Sequence, residues 1–125
     1  FLVDPAGWIG HFDCLALSSL SEQAPLAVIE AMAAGLPVVS PAVGDVAAMV
    51  SDANRPFIAE DEAGFRAALA QMVSDPALRA AVGSANRCSA AERFDETDMV
   101  TAYEKLYAGT LEGYGPFSGR WIGVD

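Results

Sequence analysis

Cations are scarce in this sequence. Seven basic residues stand against seventeen acidic ones in 125, giving a formal charge of −10 and an isoelectric point near 4.3. A surface of that sign repels phosphates, which excludes a nucleic-acid or anionic-membrane partner gripped through phosphate contacts. Lysine occurs once, as Lys105, and histidine once, as His11. Cysteine occurs twice, as Cys14 and Cys88, without CxxC spacing. That supply does not furnish a zinc site, so no metal is expected. Two lone cysteines fit free, mostly buried thiols in a reducing compartment, and the expected location is cytoplasmic. No apolar run reaches ~18 residues, so no transmembrane segment is expected. The start, Phe1-Leu2-Val3-Asp4-Pro5, lacks the basic flank of a signal peptide. It lacks an initiator Met and begins in mid-pattern, which reads as a piece of a longer protein.

What is present is a core. Apolar residues make up 53% of the chain and charged ones 19%, a globular composition sized for one domain. Short apolar runs alternate with helical patterns. Asp13–Leu17 and Leu36–Ser40 read as buried parallel strands and Arg55–Ile58 as a third. Pro5–His11, with Asp4 as cap, reads as a short helix. Pro25–Ala34 reads as a longer one, stopped by Gly35 and Pro37. Asp45–Val50 is a further short helix, and Ser51–Asn54 a polar loop. Amphipathic helices are expected over Asp61–Val73, from Pro76 to about Ser89 behind Asp75, and from Glu96 to about Tyr107 behind Asp95. The fold class is therefore α/β: a three-layer αβα Rossmann-like parallel sheet followed by C-terminal helices. Residues 1–109 form the domain. Residues 110–125, rich in glycine and carrying Tyr114, Phe117, Trp121 and Ile122, read as an irregular tail able to dock or self-associate.

The stretch Ser21–Ser40 carries the chemistry. Its helix is apolar almost all round, which predicts burial, and Glu30 is its single charge. A buried carboxylate needs a partner, so Glu30 should face a cleft or pair with Arg55 or Arg93. With Pro25 at the first helical position, Ala24 is the cap, and a poor one. The first-turn N–H groups then sit open at the carboxyl end of a parallel strand, where open α/β sheets bind ligands and helix ends suit phosphate. Glu22 stands just before them. Two carboxylates flanking helix-end donors match a ligand with phosphate in the middle and polyols at both ends, as in a nucleotide sugar. The plain alternative is a solvated Glu22 and an ion-paired Glu30.

Glu22-x7-Glu30 followed by Ala31-Met32-Ala33-Ala34-Gly35-Leu36-Pro37-Val38-Val39 resembles the signature of retaining glycosyltransferases of family four, which share the GT-B fold. Asp13 with Leu17-Ser18-Ser19, Val43-Gly44, Asp75-Pro76-x-Leu78-Arg79, and Phe94 through Tyr107 extend the likeness over about residues 10–108. The resemblance implies the latter part of the donor-binding domain of an enzyme that transfers a sugar from a nucleotide-diphosphate-sugar to an acceptor. It implies that Glu22 contacts the donor sugar as the catalytic carboxylate and that Glu30 accepts from the ribose. Gln23, Ala24, Leu26 and Gly44 then line the donor, with neither metal nor cofactor required. It also implies partners encoded elsewhere: an N-terminal acceptor domain, and an Arg and a Lys that neutralise the diphosphate. The chain departs from the pattern. Gln23 and Ala24 replace a Gly and an aromatic, Asp45 a second Gly, and Ala47 and Ala48 a Pro-Glu pair. An added carboxylate there works against a diphosphate. The residues alone are expected to be inactive and to bind donor weakly. Two alternatives stand: a non-catalytic, degenerate module for protein interaction, and a nucleotide-sugar epimerase of similar fold.

Overall fold

Val38, Val39 and Ser40 are completely buried, and the architecture is built outward from them. They belong to the middle strand of a three-stranded parallel sheet in the computed structural model, which describes residues 6–113. The strands are β1 (Leu15–Ala16), β2 (Val38–Pro41) and β3 (Ile58–Ala59), in the order β1-β2-β3. Leu15 pairs with Val38 and Ala16 with Val39; on the other side Ser40 pairs with Ile58 and Pro41 with Ala59. The chain is α/β with a Rossmann-like parallel sheet, as the alternation of apolar runs and helical patterns predicts.

Helix α1 (Ala6–Ile9) precedes β1, α2 (Leu26–Ala33) connects β1 to β2, and α3 (Val46–Met49) follows β2. The cap and first turn expected at Asp4 and Pro5 lie outside the described residues. Helix α2 ends where glycine permits. Gly35 has φ +79°, its N–H donates to the Met32 carbonyl, and the Leu36 N–H donates to that of Ala31. These are the two bonds of a Schellman stop.

Helices α4 (Glu62–Ser74) and α5 (Pro76–Arg93) complete the first of two compact units, which ends at Arg93. Val39, Phe57, Ala68, Met72 and Val82 form its core, with Phe65, Leu69 and Leu78 packed against them. Asp61 caps α4 by accepting from the Gly64 N–H, and Asp75 accepts from the Leu78 N–H at the start of α5. Val73, near the end of α4, is exposed.

Several boundaries differ from expectation. The strand predicted over Arg55–Ile58 is a 3-10 turn at Arg55–Phe57 followed by β3. Pro56 has no N–H to give a ladder, so pairing starts only after it. Ser51 and Asn54, expected in a polar loop, are buried. Helix α5 runs four residues past Ser89, because nothing in Ala90-Ala91-Glu92-Arg93 stops a helix.

The second unit begins at Phe94. Its helix α6 (Glu96–Gly113) starts behind Asp95, whose carboxylate accepts from the Thr97 and Asp98 N–H groups. It continues through Gly109 to Gly113, into the stretch expected to be irregular, since an isolated glycine costs a helix only about 1 kcal/mol. The docking residues expected from Tyr114 onward lie outside the described residues. Met99, Tyr103, Leu106 and Tyr107 recur at three- and four-residue spacing along α6 as a stripe, and each is more than half exposed. The rings of Tyr103 and Tyr107 stack at 6.3 Å.

Candidate functional site

The start of α2 is open. Pro25 is its N-cap, with φ −68° and ψ 122°, and no side chain caps it. Sequence placed the cap one residue earlier, at Ala24. Neither residue has a side-chain acceptor; the Val28 N–H donates to the Pro25 carbonyl at 3.0 Å, which leaves the Leu26 and Ala27 N–H groups as the donors facing whatever approaches. This helix end follows the carboxyl end of β1, where parallel sheets place ligands.

The loop before it is held from the side. The turn after β2 is fixed by the Ala42 N–H donating to the Ala59 carbonyl and the Val43 N–H donating to that of Pro41, both at 2.8 Å. It then presents Gly44 and Asp45 to residues 22–23. The Asp45 N–H donates to the Gln23 carbonyl at 2.7 Å. Gly44 has φ +52°, and a Cβ built on it would lie 2.5 Å from the Glu22 carbonyl oxygen and closer still to that of Gln23. Glu22, Gln23 and Gly44 are thus brought together, with Ala24 and Leu26 next along the chain. Glu22 is half-buried, whereas Gln23, Ala24, Leu26 and Gly44 are exposed.

Glu30 lies four residues beyond Leu26 on the same helix, about 6 Å along its axis. It is exposed and borders an apolar pocket of about 200 Å3 between α1, β1 and α2, with Phe12, Cys14 and Leu36 in its wall. The expectation of a helix buried all round is corrected. Val28, Ala31 and Met32 are buried, while Leu26, Ala27, Glu30 and Ala33 form an open face. Among the described residues α5 makes the broadest contact with α2, and α1, α3 and β2 also touch it, without covering that face. The ion pairs considered for Glu30 are not what those arginines make. Arg55 pairs with Asp52 at 3.1 Å, and Arg93 donates to the Ala48 and Met49 carbonyls.

The other arginines of this unit are engaged elsewhere. Arg66 pairs with Glu62, Arg79 with Asp13, and Arg87 donates to the Ala33 carbonyl at the far end of α2. Cys14 and Cys88 are free thiols, but only Cys14 is half-buried; Cys88 is exposed. Burial, helped by the neighbouring Asp13 carboxylate, pushes the Cys14 thiol above its ordinary pKa. Two features escaped the sequence. One is the Asp45 backbone contact to Gln23, for which glycine at 44 was the only signal. The other is a cavity of about 520 Å3 at the carboxyl ends of the strands, walled by Leu20, Pro41 and Phe65 and rimmed by Glu60 and Arg66. None of the six predicted site residues lines that cavity.

The family model for glycosyl transferases group 1 matches residues 1–75. The chain belongs to the group 1 glycosyl transferases. Its parallel sheet and helices are those of a partial GT-B domain. A D-inositol 3-phosphate glycosyltransferase of Streptomyces avermitilis is 31% identical over 111 residues, covering 87% of this chain and 24% of that protein. An N-acetyl-alpha-D-glucosaminyl L-malate synthase of Bacillus anthracis is 29% identical over 101 residues, covering 79% of this chain and 26% of the relative. The group 1 chain described here thus spans about a quarter of the length of these curated relatives. No solved structure matches it. Among its described residues no helix is long and apolar enough to cross a membrane.

Proposed function

We propose that this chain is the latter part of the donor-binding domain of a retaining glycosyltransferase of family four that uses a nucleotide-diphosphate-sugar. The observation that carries the reading is the fixed loop at residues 22–23, held beside an uncapped helix start with Glu30 farther along the same helix. In this reading the diphosphate approaches the first-turn N–H groups of α2, Glu22 orders the sugar hydroxyls, and Glu30 accepts from the ribose. The anomeric bond to the diphosphate breaks and a bond to the acceptor oxygen forms on the same face. Stabilisation of the leaving diphosphate supplies most of the rate. Because the arginines of this unit are engaged elsewhere, cations from another part of a longer protein complete the charge balance. Alone, the chain binds donor weakly and is inactive. The relatives' names point to anionic acceptors, inositol 3-phosphate and malate, and the acceptor here is taken to meet a domain outside these residues.

The test is a titration of the 15N-labelled chain with the diphosphates of uridine, guanosine and adenosine, followed by amide shifts. Shifts at Gln23, Ala24, Leu26 and Glu30, weakened about fivefold or more in Glu30→Ala, support the reading. Absence of shifts at those positions with all three nucleotides, up to about 10 mM, overturns it. A non-catalytic interaction module is the second reading, favoured by the exposed stripe of Met99, Tyr103, Leu106 and Tyr107. It predicts no nucleotide shifts at all.

A further inference from the structure

We infer that Gly44 is a positioning residue: its bare backbone, together with the Asp45 N–H, sets the placement of the Glu22–Gln23 loop beside the start of α2. The inference rests on the donor-site reading for its functional consequence, but its geometric half stands without it.

Two separate observations carry it. The first is steric. A Cβ at position 44 would overlap the carbonyl oxygens of both Glu22 and Gln23 and lie 2.8 Å from the Glu22 carbonyl carbon. These are backbone atoms, so no rotamer change relieves the overlap, and the loop itself must retreat. The second is a hydrogen bond. The Asp45 N–H reaches the Gln23 carbonyl at 2.7 Å, holding that peptide against the turn. The turn in turn is fixed to β3 by the Ala42 N–H on the Ala59 carbonyl. The Glu22 backbone therefore rests on a support that runs through the turn after β2 to the end of β3. The last two residues of that support have distinct duties. Gly44 permits the approach, and Asp45 contributes its backbone rather than its side chain.

Gly35 supplies the internal control. It also has a left-handed backbone, φ +79°, but a Cβ there would meet nothing nearer than 3.8 Å. Asparagine tolerates left-handed backbone better than other residues with a side chain. At Gly35, where torsion alone matters, asparagine should substitute far better than alanine. At Gly44, where space matters as well, asparagine should fail as alanine does.

The experiment compares Gly44→Ala, Gly44→Asn, Gly35→Ala and Gly35→Asn in the whole chain. It reads the amide shifts of Gln23, Ala24 and Leu26 and the dissociation constant for uridine diphosphate. Both Gly44 variants should move those amides, leave Val38 and Val39 in place, and weaken uridine diphosphate about tenfold. The Gly35 variants should leave the loop amides unmoved. Wild-type loop shifts in Gly44→Asn overturn the inference, because torsion alone would then explain the glycine. If the unsubstituted chain binds none of the diphosphates of uridine, guanosine and adenosine, the donor reading falls while the amide shifts still decide the positioning role; if it binds another of the three instead of uridine diphosphate, that nucleotide takes its place in the comparison. Should the Gly44 variants fail to fold, the unsubstituted chain decides. A through-hydrogen-bond coupling between the Asp45 nitrogen and the Gln23 carbonyl supports the clamp, and an Asp45 amide exchanging like open loop overturns it.

Discussion

The Asn86 side-chain amide donates to the Oδ1 of Asn54 across 2.8 Å, and both side chains are wholly buried. Asn54 also accepts from the Val38 N–H at 2.8 Å and donates to the Val38 carbonyl at 2.7 Å. It thereby stands in for a strand where β3 has not yet begun. Asn86 ties the same point to Ser51 and to the Leu36 carbonyl. Removing Asn54 strands both backbone groups of Val38 in a dry interior. Asn54→Ala should therefore cost about 2–4 kcal/mol, read by urea denaturation. The double variant with Asn86→Ala should fall short of the sum of the two single losses, since each removes the other's partner.

Gly83 offers a test against helix propensity. It lies inside α5, where alanine is ordinarily preferred by about 1 kcal/mol. A Cβ there would collide with the Gly35 carbonyl oxygen, where α5 crosses the end of α2. Gly83→Ala should thus destabilise the first unit by about 2 kcal/mol or more. Gly109, with nothing within 4 Å of its Cβ position, should instead gain about 0.5–1 kcal/mol of helix stability on Gly109→Ala. Thermal melts and α6 amide exchange check the pair. A stabilised Gly83→Ala would show that α5 does not approach α2 as closely as described.

Arg79 separates capping from ion pairing. It donates to the Met72 and Val73 carbonyls at 2.6 and 3.0 Å and lies 3.3 Å from Asp13. The carbonyls end α4, so Arg79 closes that helix. Asp13 is mostly exposed, with water competing for its charge. Arg79→Met should lose about 1–2 kcal/mol, and Asp13→Asn no more than about 0.5 kcal/mol, by chemical denaturation. Equal losses would mean that the ion pair, not the cap, matters.

The start of α6 should respond to acid. Backbone N–H groups of Thr97 and Asp98 hold the Asp95 carboxyl below its ordinary range. A depressed folded value means that the helix is favoured above the unfolded value, about 3.9, and loses that support as pH falls through the folded value. Thr97 and Asp98 amides should lose protection as pH falls below the ordinary carboxylate range, while Asp95→Asn should show little such dependence. Protection at Thr97 that is flat with pH in the unsubstituted chain would remove Asp95 as the cap.

Much was legible because it was local. Pro25, Gly35 and Pro37 bracket α2 in sequence, and the structure ends that helix at the glycine. Asp61, Asp75 and Asp95 cap their helices within three residues of themselves. The misreadings were at places settled from far away. Ser51 and Asn54 look like loop residues until Asn86, more than thirty positions on, buries them. The open face of α2 depends on which elements lie against it, and an apolar pattern does not say whether its cover is present.

The scarcity of cations, the alternation of short apolar runs with amphipathic helices, and the Glu22-x7-Glu30 spacing belong to the sequence itself. They determined the fold class, because propensity, periodicity and capping act over one or two turns, and they marked out the stretch proposed as the donor site. Tertiary structure decided what holds that stretch in place. The contact of Gly44 and Asp45 with residues 22–23 joins two loops that follow different strands. Only the register of β1 on β2 sets those loops side by side, and register is a property of the folded sheet.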